Sequence, residues 1–110
     1  MSTTVDKVPE VVRTVVRQIV QGYAPQTVIL FGSYARGEAR EGSDIDLLII
    51  KDTDKPPMAR WMEVKRLVRD RRRGVSVSPL VYTPRELEAR LAIGDFFIHE
   101  VLEMGKVLYG

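Results

Sequence analysis

Two aspartates one residue apart, Asp44 and Asp46, open an otherwise apolar run that continues Leu47-Leu48-Ile49-Ile50. In an extended chain alternate side chains point the same way, which sets the two carboxylates on one face with Cα atoms about 6.6 Å apart, two rises of about 3.3 Å. Ile45, Leu47 and Ile49 then take the opposite face, where a core needs them. Strands packed between apolar layers seldom carry two carboxylates, because an unpaired buried carboxylate is costly and tends to take a proton instead. A divalent cation relieves that conflict. Hard oxygen ligands suit Mg²⁺, which keeps several waters and draws further ligands from substrate phosphates. The pair therefore points to a nucleotide more than to a closed metal cage.

Gly32-Ser33 precedes the pair, with ten residues between Ser33 and Asp44. It falls where the apolar run Thr27-Val28-Ile29-Leu30-Phe31 gives way to a polar segment. A glycine there lets a ligand approach the backbone, and the leading amides of a following helix carry partial positive charge, which suits a phosphate. The Ser33 hydroxyl can add a hydrogen bond. If Tyr34 to Arg40 is a short helix capped by Ser33, Arg36 lies one turn past Ser33 and Arg40 one turn further, so both can face one anion. A phosphate cradle followed by metal carboxylates on the returning strand is the outline of a phosphoryl or nucleotidyl transfer site.

The elements that must hold these groups follow from periodicity. Val8, Val11, Val12, Val15, Val16, Ile19 and Val20 keep helical spacing, with Asp6 near the N-cap and Gly22 placed as a stop. Thr27–Phe31 and Asp44–Lys51 read as strands joined by an antiparallel, hairpin-like return. A helix is predicted over Met58–Arg72, with Trp61, Val64, Leu67 and Val68 as its apolar positions and Gly74 as its stop. Val75–Tyr82 reads as a third strand whose Pro79 suggests an edge or a bulge. Thr83-Pro84-Arg85-Glu86 is a capping box opening a helix to Ile93. Asp95 caps another over Phe96–Met104, which Gly105 ends, and Lys106–Tyr109 is a terminal strand or tail. Trp61, Phe96 and Phe97 are expected in the core. Alternating helices and strands imply an α/β or α+β layer with a small sheet.

Composition bounds the rest. With 110 residues, 45% hydrophobic and a net charge of +2, the chain suits one globular domain, residues 1–110, rather than a disordered segment. Zero cysteine excludes disulfides, thiolate metal sites and cysteine nucleophiles. No apolar run is long enough for a membrane span and no basic leader precedes one, so a soluble, cytoplasmic protein is expected. Arg69 to Arg73 reads as a solvated helix end rather than an RNA-binding patch, and nucleic acid is not expected as a partner.

Gly32-Ser33, ten residues and Asp44-x-Asp46 together resemble the signature of the DNA polymerase β-like nucleotidyltransferase superfamily. The fuller stretch Phe31-Gly32-Ser33-Tyr34-Ala35-Arg36-Gly37 with Ser43-Asp44-Ile45-Asp46-Leu47 is similar to its minimal nucleotidyltransferase branch, as is the ending from Phe97 to Gly110. The resemblance implies a small mixed β-sheet with helices packed on it. It implies Asp44 and Asp46 as catalytic Mg²⁺ ligands, with Gly32, Ser33, Arg36 and Ser43 holding ATP. It further implies transfer of AMP to an acceptor hydroxyl, with a tyrosine on a HEPN-type toxin partner as the favoured acceptor, since members of the branch are often antitoxins to such partners and some modify a tyrosine on them. The superfamily usually adds a third carboxylate from a later strand. Counting back from Tyr82-Thr83-Pro84, that position holds Ser78, and Ser76 shares its face. Asp70, Glu86 and Asp95 are the candidates to reach in from elsewhere. The departure leaves a nucleotide-binding antitoxin that acts by complex formation alone as one alternative to the enzyme, and the arginine cluster leaves an RNA 3′-end nucleotidyltransferase as another.

Overall fold

A computed structural model describes residues 7–110; Asp6, expected near the first N-cap, lies outside them, and the N-cap of the first helix is instead Pro9, a residue with no side-chain acceptor to offer. The chain forms α1 (Glu10–Tyr23), β1 (Thr27–Phe31), α2 (Gly32–Ala35), β2 (Ile45–Ile50), α3 (Pro57–Leu67), a 3₁₀ turn (Arg71–Arg73), β3 (Val77–Tyr82), α4 (Pro84–Ala92), α5 (Phe96–Met104) and β4 (Lys106–Tyr109). The strands make one mixed sheet in the order β3-β2-β1-β4. β1 runs antiparallel to both β2 and β4, whereas β2 and β3 are parallel.

Strand alternation splits the sheet into two apolar faces. On one, Val28, Leu30, Ile45, Leu47 and Ile49 pack with Val12, Val15 and Ile19 of α1 and with Val64 of α3. On the other, Ile29 and Leu48 pack beneath Val101 of α5. Asp46 belongs to this second face because it alternates with Leu48. β2 is consequently apolar on both sides along most of its length and acidic only where it begins.

Several expected boundaries move, each for a local reason. α1 runs through Gly22 to a left-handed cap at Ala24 (φ 51°), whose turn is fastened by Lys51 Nζ donating to the carbonyls of Tyr23 (2.7 Å) and Ala24 (3.3 Å). Gly22 serves packing instead, since the Leu67 side chain occupies the space a Cβ would take. α2 spans only Gly32–Ala35, with Ser33 inside it and no side-chain cap, so Arg40 sits in a loop and not on a helix with Arg36. The left-handed Gly37 (φ 70°) follows at once and diverts the chain. α3 stops at Leu67 because the Asp70 carboxylate accepts from the Arg72 amide (3.0 Å) and starts a separate turn. Arg73 is tied to the Val68 carbonyl and to Gln18 of α1, so the arginine cluster is partly structural. Trp61, Phe96 and Phe97 are not core: they are 44%, 80% and 44% exposed. The Thr83 capping box and the Asp95 cap form as read.

One buried cation joins three elements. Arg60, 5% exposed, donates to the carbonyls of Lys55 (2.6 Å) and Val81 (3.3 Å) and makes a two-pronged pair with Glu86 (2.7 and 3.2 Å). Glu86 also accepts from the Thr83 amide (2.9 Å), so the N-terminus of α4 is locked to α3 and the end of β3. The hydrogen bond from Arg60 and that from Thr83 hold the Glu86 carboxyl below its ordinary range.

β3 is an edge strand, as Pro79 suggested. Ser76 and Tyr82 turn their carbonyls toward β2, where Ile45 (2.8 Å) and Lys51 (3.0 Å) donate to them. Alternation turns the backbone polar groups of Val77, Pro79 and Val81 to the open edge, while their side chains stay on the α1–α3 face of the sheet. Lys65 Nζ there takes the Val77 carbonyl (2.8 Å), Arg60 takes that of Val81, and Pro79 has no N–H to leave unbonded.

Arg60→Met strands two carbonyls and one carboxylate and should cost about 2 kcal/mol of stability, read as a lower midpoint in urea unfolding. A lowered folded-state pKa contributes stability above the ordinary carboxylate pKa and loses it as pH falls through the folded value. The gap between wild type and Arg60→Met should therefore narrow in acid.

Candidate active site

β1 hands over to α2 at Phe31-Gly32, and that turn lies directly on the start of β2. Phe31 is the antiparallel register partner of Asp46, which brings the next residue, Gly32, against the Asp46 side chain. Gly32 has φ 75°, and a Cβ built on it would lie 3.1 Å from Asp46 Cγ and closer still to its Oδ2. Only glycine meets both demands, the left-handed backbone and the absent methyl. The short α2 leaves its leading amides without helical acceptors beside this contact.

Asp44 sits one residue before β2 and is exposed, whereas Asp46 lies within the strand and is half-buried. The two carboxylates are close enough to repel. The Asp46 carboxyl is pushed above its ordinary range, first by burial and next by the charge of Asp44, with Arg36 acting the other way. A pair of oxygen-rich, mutually repelling groups of this kind fits a divalent cation, whose charge offsets both causes. Among the described residues no group of three or more His, Asp or Glu could hold a metal ion. The remaining coordination would have to come from waters and phosphate oxygens.

The other expected site residues are placed unevenly. Ser33 is in the first turn of α2, partly buried next to Gly32. Arg36 follows α2, is mostly exposed, and lies 3.6 Å from the Glu38 carboxylate. Ser43 closes the loop before β2: its hydroxyl accepts from the Arg40 amide and its own amide donates to the Arg40 carbonyl, both at 2.9 Å. Ser78 is the parallel register partner of Asp46 and is exposed, so the position beside the acid pair carries a hydroxyl. None of the three distant carboxylates is brought there. Glu86 is bound to Arg60, Asp95 caps α5 through the Ile98 amide, and Asp70 caps the 3₁₀ turn.

A cleft of about 460 Å³ adjoins the turn, walled by Phe31, Gly32, Arg36, Phe97, Glu100 and Met104. Phe31 and Phe97 meet edge to face at 5.6 Å and hold the α5 wall against β1. Glu100 escaped the sequence reading, and its only signal there is a polar position in the apolar helix α5.

Residues 10–106 match the family model described as "Nucleotidyltransferase domain". Among relatives in Methanocaldococcus jannaschii, the protein provisionally named protein adenylyltransferase MJ0604 is 39% identical over 82 residues, covering 74% of this chain and 76% of its own. MJ1305, which carries the same provisional name, is 42% identical over 67 residues, 58% of this chain. The matched segment spans about half of that relative, 46% of its length. A crystal structure from Sulfolobus solfataricus, provisionally called a nucleotidyltransferase, superposes with a TM-score of 0.55 at 24% identity, covering 73% of this chain and 70% of that one. At that identity the likeness is one of fold.

A carboxyl whose folded pKa is raised binds its proton more tightly in the native state, so stability falls as pH rises from the ordinary carboxylate range through the folded value. Asp46→Asn should thus melt at a higher temperature than wild type at neutral pH, with the gap closing in acid; calorimetry across that range checks it. Gly32→Ala must adopt a left-handed backbone and displace Asp46, and should lose at least about 1 kcal/mol in urea unfolding.

Proposed function

Because the chain belongs to the nucleotidyltransferase domain family, we propose that it transfers AMP from ATP to the hydroxyl of a partner protein, a tyrosine of a HEPN-type toxin whose antitoxin it is. The observation that carries this reading is the acid pair, with Asp46 held against the backbone of Gly32 and repelled by Asp44. The provisional adenylyltransferase name of its relatives supports protein as the acceptor class.

In this reading Gly32 and Ser33 present backbone amides and a hydroxyl to the triphosphate, and Arg36 adds an exposed cation from the rim. Asp44 and Asp46 would hold Mg²⁺, which supplies charge stabilisation as the phosphorus centre and departing pyrophosphate gain negative charge. The acceptor oxygen attacks the α-phosphorus in line, the bond to the β-phosphate oxygen breaks, and pyrophosphate leaves. Ser78 offers no base for the acceptor proton, which passes to the water that reaches this exposed position.

Ser78 also favours a second reading, an antitoxin that binds nucleotide and neutralises its partner by forming a complex without transfer. Purified protein, labelled ATP, Mg²⁺ and the candidate partner separate the two. Label on the partner's tyrosine, lost in Asp44→Asn and in Asp46→Asn, is the expected result. A stable, unlabelled complex would instead establish the second reading. If the proton step limits the rate, Ser78→Asp should accelerate transfer by about tenfold or more, a modest share of what general bases contribute.

A further inference from the structure

A groove between α3 and the outer edge of β3 takes no part in the site described above. Trp61 stands at its middle. On one side is a cavity of about 380 Å³ lined by Met58, Trp61, Pro79 and Tyr82. On the other is one of about 300 Å³ whose lining includes Met62, Lys65, Arg66 and Arg69, with one carboxylate, Asp70, that is engaged by the Arg72 amide and side chain. Met58, Trp61 and Met62 keep the spacing of one helical face, yet are 67%, 44% and 42% exposed. Large aromatic and methionine side chains with arginines beside them are the composition enriched where proteins meet. Lys65 lies over the Trp61 ring at 5.6 Å, while Arg66 and Arg69 make no salt bridge with any described residue.

The edge chemistry restricts the occupant. An added strand would need the outward carbonyls of Val77 and Val81, which Lys65 and Arg60 already hold, and an N–H at Pro79 that does not exist. A second copy would set one net-cationic rim, with Lys65, Arg66 and Arg69 against the single carboxylate of Asp70, on another of the same sign. A nucleic acid would have to carry its phosphates across the Met58 cavity, which no cation lines. We propose that the groove docks a helix of a partner protein, apolar along the face that meets Met58, Trp61 and Met62, and acidic at the end that meets Arg66 and Arg69. The proposal stands apart from nucleotidyl transfer, and an occupant would lie along β3, whose Ser78 is the neighbour of Asp46.

Trp61 is the chain's single tryptophan, so its emission reads the groove directly. The probe is a synthetic helical peptide with leucines at one-face spacing and glutamates at one end, compared with a twin carrying lysines in their place. The glutamate peptide is expected to shift Trp61 emission saturably. Arg66→Glu with Arg69→Glu should weaken it by about tenfold and strengthen the lysine twin. Circular dichroism establishes that the variant is folded, and a titration with ATP and Mg²⁺ reports the nucleotide site separately. The proposal is overturned by an emission that never saturates, by equal binding of the two peptides, or by a single-stranded oligonucleotide that displaces the peptide. Self-association of the wild type that Trp61→Ser abolishes would overturn it in favour of a second copy.

Discussion

The start of β2 and the turn against it are shaped by one contact, the Asp46 carboxylate lying where the Cβ of any residue but glycine at position 32 would be. The turn at Gly32 rests on the start of β2 because Phe31 and Asp46 are register partners, and only a residue without a side chain, in a left-handed conformation, lets the backbone approach so closely. The contact puts backbone amides and acidic oxygens side by side. It does so at an energetic cost: burial first, and the charge of Asp44 next, push the Asp46 carboxyl above its ordinary range. Carboxyls perturbed by burial and a like charge together are found most often at functional sites.

The rest of the fold holds that turn still. β1 and β2 form a local antiparallel pair, packed on one face by α1 and α3 and on the other by α5. Arg60 works at a distance from the acids, joining α3, the end of β3 and the first turn of α4 through one guanidinium. Since α4 leads directly into α5, this junction also sets where the Phe97 wall of the cleft stands against Phe31.

Much of this was legible in the sequence because it is written in short-range patterns. Alternation assigned Ile45, Leu47 and Ile49 to the core, Pro79 marked an edge strand, and the Thr83-to-Glu86 spacing foretold a capping box that forms with both of its hydrogen bonds. The sequence also foretold that Gly32 and Asp46 would be brought together, because they are neighbours in one β-turn-β unit. Local rules misled where tertiary contacts decide. Gly22 looked like a helix stop but makes room for Leu67, and Ser33 looked like a cap but lies inside α2. Apolar spacing placed Trp61 inside and residue type placed Phe96 there, and neither says what covers the face. Nothing in the local sequence distinguishes buried Arg60 from its exposed neighbours. Its burial depends on Glu86, twenty-six positions later.

The dressing of β3 bears on how this protein behaves in a crowded cell. A bare sheet margin is a template on which further chains can stack into fibres, and small domains with short cores open often enough to be at risk. Here the margin is dulled by two basic side chains and an imino acid, while the opposite border, β4, is only four residues long. The sheet can therefore stay open at both sides without seeding its own polymerisation.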